Sequence, residues 1–153
     1  MWIPPENIDP VLLHAPTRKG FGVFGAVRVD DGRLVTSLEE KFNAMTFHSF
    51  LKKILRHRRH DRKILVILDN ARWHHARILR PWLAKHSEAI QLDFLPPYSP
   101  ELNAIERAWK LTRKLCCHNC YFPTLEELTE TVFDKFESWD KPNETLRRLC
   151  AIA

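Results

Sequence analysis

Ile64-Leu65-Val66-Ile67-Leu68 is an unbroken apolar run that stops at the polar pair Asp69-Asn70. A run of this length and composition predicts a central strand buried on both faces. Ligands of open α/β sheets gather where such strands end, so Asp69 stands where polar chemistry is expected. Downstream, Ile90, Leu92 and Phe94 alternate with Gln91 and Asp93, the pattern of a half-buried strand nearer the sheet's edge. Leu95 to Leu102 holds three prolines and reads as a rigid connection, after which Asn103 caps a helix running to about Cys116, with Glu106 in its first turn. The interval between Asp69 and Glu106 accommodates one helix and one strand, which would return the chain beside the first strand. Two acids would then converge on a metal.

The remaining elements read as follows. Residues 21–29 alternate and are rich in Val, Phe and Gly, Asp30-Asp31-Gly32 supplies a turn, and residues 33–38 resume an extended pattern, which together predict a β-hairpin. Phe47, Phe50, Leu51, Ile54 and Leu55 recur at helical spacing, predicting an amphipathic helix from about Thr46 to His57. A helix from about His75 to His86 carries Pro81, which forces a kink or a restart because proline lacks a backbone donor. Thr124-Leu125-Glu126-Glu127 opens a helix whose Leu125, Leu128, Val132 and Phe136 share a face, and Pro142 begins a short last helix.

At 153 residues, with 44% hydrophobic and 28% charged residues, the chain is one domain's worth of ordinary globular composition. No apolar run approaches the ~20 residues that span a bilayer, and Met1-Trp2-Ile3-Pro4-Pro5 lacks the basic and apolar regions of a signal peptide. A membrane role is not expected, and the expected location is cytoplasmic. The net charge of +5 favours a polyanionic partner through counterion release. The densest basic run, Arg56 to Lys63, falls at the entry of the central strand, opposite Asp69; it reads as a solvated connection, with non-specific DNA contact as the alternative. Cys117 and Cys120 have zinc-knuckle spacing, yet a structural zinc site needs a second pair, so Cys116, Cys117 and Cys120 read as free thiols. Trp73, Trp82 and Trp109 read as packing residues.

Each acid also has a structural reading: Asp69 as a turn residue after a strand, Glu106 as the partner of Asn103 in a capping box. Their full contexts decide otherwise. Asp69-Asn70-Ala71 with His74, followed by Leu95-Pro96-Pro97-Tyr98-Ser99-Pro100-Glu101-Leu102-Asn103-Ala104-Ile105-Glu106, resembles the catalytic core of mariner-type and related bacterial insertion-sequence DDE transposases. In that family the second acid follows an apolar strand in an Asp-Asn-Ala context, and the third closes a Leu-Pro-Pro-Tyr-Ser-Pro-Glu-Leu-Asn-Pro-Ile-Glu segment. Ala104 stands where the motif has proline, and the resemblance extends from about Trp2 to the helix after Thr124.

The resemblance implies an α/β, RNase H-like mixed sheet with flanking helices, forming one catalytic domain over residues 1–153. The family's first Asp lies on a strand before the segment matching Trp2, so that strand is expected to be missing here, as is an upstream DNA-recognition region. Because the family places that strand beside the one ending at Asp69, an interior edge would be left for Pro10 to Pro16, with Val11-Leu12-Leu13, or for a second copy of the chain to fill.

The implied activity is metal-dependent DNA strand cleavage followed by strand transfer: water attacks first, then the freed 3′-hydroxyl, at two Mg²⁺ or Mn²⁺ ions ~4 Å apart. Asp69 and Glu106 are the implied catalytic acids and metal ligands. Asn70 and His74 are candidates for phosphate or water contact, although a histidine at a helix start is commonly a surface residue. Lys110, Arg113 and Lys114 follow Glu106 on one helix, where they either meet DNA phosphates or form a solvated face. DNA and further copies of the chain are the expected partners. The alternative is a catalytically inactive transposase remnant that only binds DNA or associates with other chains; a different metal-dependent nuclease of the same fold is a third reading.

Overall fold

A computed structural model describes residues 21–118 and 120–151, which fall into two compact units: residues 1–40 with 104–153, and residues 41–103. The expected segment Pro10 to Pro16 lies outside the described residues. Among the described residues the protein is mixed α/β, with two two-stranded sheets and several helices.

In the first unit, β1 (Gly22–Val27) pairs antiparallel with β2 (Leu34–Glu39), Val27 opposite Leu34. Gly32 adopts φ 77°, a left-handed conformation that glycine reaches without a Cβ clash. A Cβ there would also strike the backbone at Asn143 and Arg147. The Arg28 guanidinium grips the Asp31 carboxylate at 2.9 and 2.6 Å, and the Asp31 carboxylate also accepts from the Arg33 backbone N–H. The hairpin is therefore as the sequence predicts.

Chain reversal brings α3 (Ala104–Thr112) onto β1, where the Trp109 ring fills the space a Cβ at Gly25 would need. The helix expected to reach Cys116 ends its regular turns at Thr112; residues 113–117 form a wider π-helical turn, closed by the His118 N–H donating to Arg113 O at 2.8 Å. Both Cys116 and Cys117 are buried in consequence.

Two further helices complete this unit. α4 (Leu125–Trp139) starts where Thr124 Oγ1 accepts from the Glu127 N–H, and it buries Leu128, Val132, Phe136 and Trp139. In α5 (Glu144–Leu149) the Asn143 side chain caps the Leu146 N–H while its Nδ2 donates to Gly32 O. One apolar cluster unites Val23, Leu34, Trp109, Val132, Phe136 and Leu146.

In the second unit, α1 (Ala44–Leu55) opens on a reciprocal capping box between Asn43 and Thr46 and buries Phe47, Phe50, Leu51 and Ile54. Arg58 closes the following turn by donating to Asp61 O and Arg62 O, across His60 and Asp61 at φ 43° and 58°. β3 (Ile64–Leu68) then pairs in parallel with β4 (Ile90–Phe94), Ile64 opposite Ile90 and Leu68 opposite Phe94.

Here two expectations are corrected. β3 is not buried on both faces: Leu65 and Ile67 are 53% and 41% exposed, while Leu68 is buried. With β4 as its partner among the described residues, β3 is half of a two-stranded sheet, and only the face bearing Ile64, Val66 and Leu68 is covered. The helix expected from His75 to His86 is instead two short 3₁₀ turns, Arg72–His75 and Arg77–Leu79, followed by α2 (Arg80–Lys85). Pro81 sits in the first turn of α2, where its missing N–H costs nothing.

Candidate active site around Asp69

Asp69 follows β3 directly and is half exposed, its side chain 55% accessible. The 3₁₀ turn at Arg72–His75 folds the chain back so that His74 Nδ1 lies 3.0 Å from Asp69 Oδ1 and 3.0 Å from the Asp69 carbonyl oxygen. Both neighbours are acceptors, so Nδ1 carries the proton and donates. The Ala71 N–H donates to the same Oδ1 at 3.1 Å. Oδ1 is thus clamped from two sides, whereas Oδ2 takes no hydrogen bond among the described residues.

These contacts set the charge. The His74 hydrogen bond, joined by the Ala71 N–H and outweighing partial burial, holds the Asp69 carboxyl below the usual carboxylate range. His74 itself is mostly covered, its ring 4.4 Å from that of Phe47 in α1. The helix whose periodicity was evident in sequence therefore locks the imidazole that orients the acid.

Asn70 is committed elsewhere. Its Nδ2 donates to Leu95 O at 2.7 Å, which turns Oδ1 toward His75 Nε2 at 3.1 Å. An amide oxygen accepts, so His75 Nε2 carries the proton, and the His75 ring stacks on Phe94 at 4.1 Å. Asn70 thereby ties the end of β3 to the end of β4. Sequence reasoning made Asn70 a candidate for phosphate or water contact; a His-His pair after an Asp-Asn strand end was the signal for two imidazoles beside that end, and only the structure assigns their tautomers.

Trp73 stacks on Phe42 at 5.7 Å, and its buried Nε1 has no hydrogen-bond partner among the described residues. In the Pro96-Pro97-Tyr98-Ser99-Pro100 connection, Tyr98 is fully exposed at φ 56°. A bulky residue in that conformation is an outlier of the kind that collects at functional sites.

Glu106 belongs to the first unit, half-buried in the first turn of α3. Of the cations after it, Lys110 and Lys114 are exposed, while Arg113 is half-buried with Nε donating to Trp109 O at 3.4 Å. Lys110 lies in α3, and Arg113 and Lys114 open the π-helical turn that follows it. Arg107, which sequence reasoning passed over, donates to Leu149 O and Ala151 O and so closes the end of α5.

Asp69 suits a hard divalent cation: an ionised carboxylate with one oxygen clamped and the other open. No group of three or more His, Cys, Asp or Glu side chains placed to hold a metal occurs among the described residues. Cys116, Cys117 and Cys150 are buried, and burial pushes the Cys116 and Cys150 thiols up.

Residues 2–129, a span that contains Asp69, Glu106 and both of their motifs, match the DDE superfamily endonuclease family. The chain belongs to the DDE superfamily of endonucleases. A relative of this DDE chain, the uncharacterized protein y4pE/y4sA of Sinorhizobium fredii, is 39% identical over 64 residues, 42% of this chain and 44% of that protein. Among solved structures, a chain of the cryo-EM simian T-cell lymphotropic virus intasome in complex with the PP2A regulatory subunit B56 gamma superposes with a TM-score of 0.54 at 14% identity. That likeness, which is one of fold, covers 85% of this chain and 40% of the other, so this DDE chain spans less than half the length of either protein. No helix among the described residues is long and apolar enough to cross a membrane.

Proposed function

We propose that this chain is part of the catalytic domain of a DDE-type DNA transposase, of the mariner and bacterial insertion-sequence kind, cutting DNA and transferring the cut strand. The observation that carries the reading is the Asp69 carboxylate, held ionised by His74 with Oδ2 open, at the end of a parallel strand inside the family's motif. Glu106, at a helix start within the second motif, is the other acid. In this reading residues 1–153 contribute to one RNase H-like domain.

Asp69 and Glu106 would ligate Mg²⁺ or Mn²⁺, which when bound polarises a phosphodiester and stabilises the leaving oxygen. His74 orients Asp69 through Nδ1 and presents Nε2 to water or phosphate. A third acid would complete the set, on a strand pairing with the open edge of β3. Parallel pairing directs Ile64 N–H and Leu68 C=O toward β4, so the backbone groups of Leu65 and Ile67 point to that edge.

The test is cleavage of transposon-end DNA with Mg²⁺ or Mn²⁺ by a polypeptide that carries this chain and an upstream Asp-bearing strand. Residues 1–153 alone are expected to leave DNA uncut, and the completed protein is expected to cut it. Asp69→Asn and Glu106→Gln, each folded by circular dichroism, should abolish cutting; retention of activity by either would overturn the assignment of that residue.

A second reading, a catalytically inactive remnant that binds DNA or other transposase chains, draws on the absence of a three-ligand cluster among the described residues. It is favoured if the completed protein binds DNA and fails to cut.

A further inference from the structure

The excess positive charge of this chain is not spread evenly. Residues 41–103 hold twelve lysines and arginines against five aspartates and glutamates, a formal +7, whereas residues 1–40 with 104–153 hold twelve against fourteen, a formal −2. Within 41–103 a cleft of about 350 Å³ runs along β4. Ile90, Leu92 and Phe94 give it an apolar wall, Lys63 and Ser87 stand toward the strand's start, His74 and His75 line it with His75 stacked on Phe94, and Arg80 reaches it from α2. Among the described residues no carboxylate lines it. Lys63 and Arg80 are exposed, and neither is ion-paired among the described residues.

We propose that this groove is a track for single-stranded DNA that passes His74, the hydrogen-bond partner of Asp69, and in which Lys63 and Arg80 contact successive phosphates. The proposal rests on the DNA-processing reading above and adds to it a specific surface. The groove is elongated, roughly 13 Å from Ile90 to Phe94 at the rise of a parallel strand. Its volume is of the scale of a small ligand and admits a short stretch of one strand, not a double helix. Unpaired cations on an apolar wall suit a strand whose phosphates are charged and whose sugars and bases are apolar on their faces, and the His75–Phe94 stack ends the wall in an aromatic surface. Ser87 adds a hydroxyl that can donate to a phosphate oxygen.

The experiment measures binding of fluorescent single-stranded and duplex oligonucleotides to the full chain across a salt series. The single strand should bind more tightly than the duplex. Lys63→Gln with Arg80→Gln should weaken it on the order of tenfold and reduce the magnitude of the log affinity against log salt slope by about 1.4, the loss of two single-strand phosphate contacts. A charge-matched control, Lys41→Gln with Lys52→Gln, also exposed and in the same unit, should change affinity by no more than about threefold and leave the slope nearly intact. Ser87→Asp, an exposed change that leaves the fold intact by circular dichroism, should weaken the single strand at least as much as the double variant.

Equal weakening by groove and control pairs would overturn the track, since diffuse charge would then account for binding. Binding of dAMP or inorganic phosphate that shifts the β4 amides, with no tighter binding of an oligonucleotide, would also overturn it in favour of a mononucleotide or phosphate site. None of these results bears on cleavage by the completed protein, so the track and the catalytic reading fail separately.

Discussion

The unit formed by residues 1–40 and 104–153 gathers Val23, Leu34, Trp109, Val132, Phe136 and Leu146 into one buried cluster, while the unit formed by residues 41–103 leaves Leu65 and Ile67 half bare on the strand that leads to Asp69. The first is slightly acidic and centred on the Trp109–Phe136 contact, with ring centroids 5.7 Å apart. The second is strongly basic, and its polar contacts concentrate at a strand end, where Asp69, Asn70, His74 and His75 bond to one another and to Leu95. Burial and local chemistry have been divided between them. Leu65 and Ile67 are exposed because, among the described residues, β3 has β4 alone as its strand partner and only one of its faces is covered.

The largest effect expected from this contrast is on stability. Trp109→Ala removes a ring that is 2% exposed and should cost about 3–5 kcal/mol in urea denaturation. Leu65→Thr with Ile67→Thr should change stability by about 0.5 kcal/mol or less, as at other exposed sites. A loss of about 2 kcal/mol or more from the double variant would break the comparison by revealing that this face is covered in solution.

Hydrogen exchange sharpens it at the open edge. If a further strand or a second copy of the chain pairs there, as proposed, the Leu65 and Ile67 amides should exchange as slowly as Val66, whose N–H faces β4. Rapid exchange at Leu65 and Ile67 in a well-folded monomer would show the edge to be bare and remove that proposal.

The smallest effect is on pH dependence, and it also belongs to the second unit. Burial, with Lys52 and His86 nearby, lowers the His48 pKa below the usual 6.5, and the buried His48 Nε2 has no hydrogen-bond partner among the described residues. The unfolded chain then binds more protons than the folded one below pH 6.5, so stability should rise with pH toward 6.5 and level off above it. His48→Gln should flatten that slope; an NMR titration placing the His48 midpoint at or above 6.5 would contradict the assignment. Asp69 contributes in a lower window. Its carboxyl is held below the usual 3.8, so its contribution is present above that pH and lost as the pH falls through the folded value.

Much of the fold was legible in sequence because its signals are local. The hairpin follows from alternation on either side of Asp30-Asp31-Gly32, α1 from helical spacing, α4 from helical spacing behind Thr124, and the restart at α2 from Pro81. Each depends on residues within a turn or two of one another, where backbone geometry and hydrogen bonding are decided by immediate neighbours. The same holds for Asp69 at a strand end and Glu106 in a helix's first turn.

Tertiary structure alone decided the rest. An apolar run reads identically whether one or both of its faces find a cover, so the exposure of Leu65 and Ile67 depended on how many strands and helices reach β3. The clamp on Asp69 Oδ1 required the 3₁₀ turn to bring His74 back and Phe47 to seat its ring. A histidine five residues after an aspartate shows neither tautomer nor orientation until both neighbours are in place. The sequence determined which polar groups stand at strand and helix ends and where several of the elements lie; packing between elements distant along the chain determined which faces stay open and which side chain bonds the Asp69 carboxylate, because burial and hydrogen-bond geometry are properties of the assembled chain.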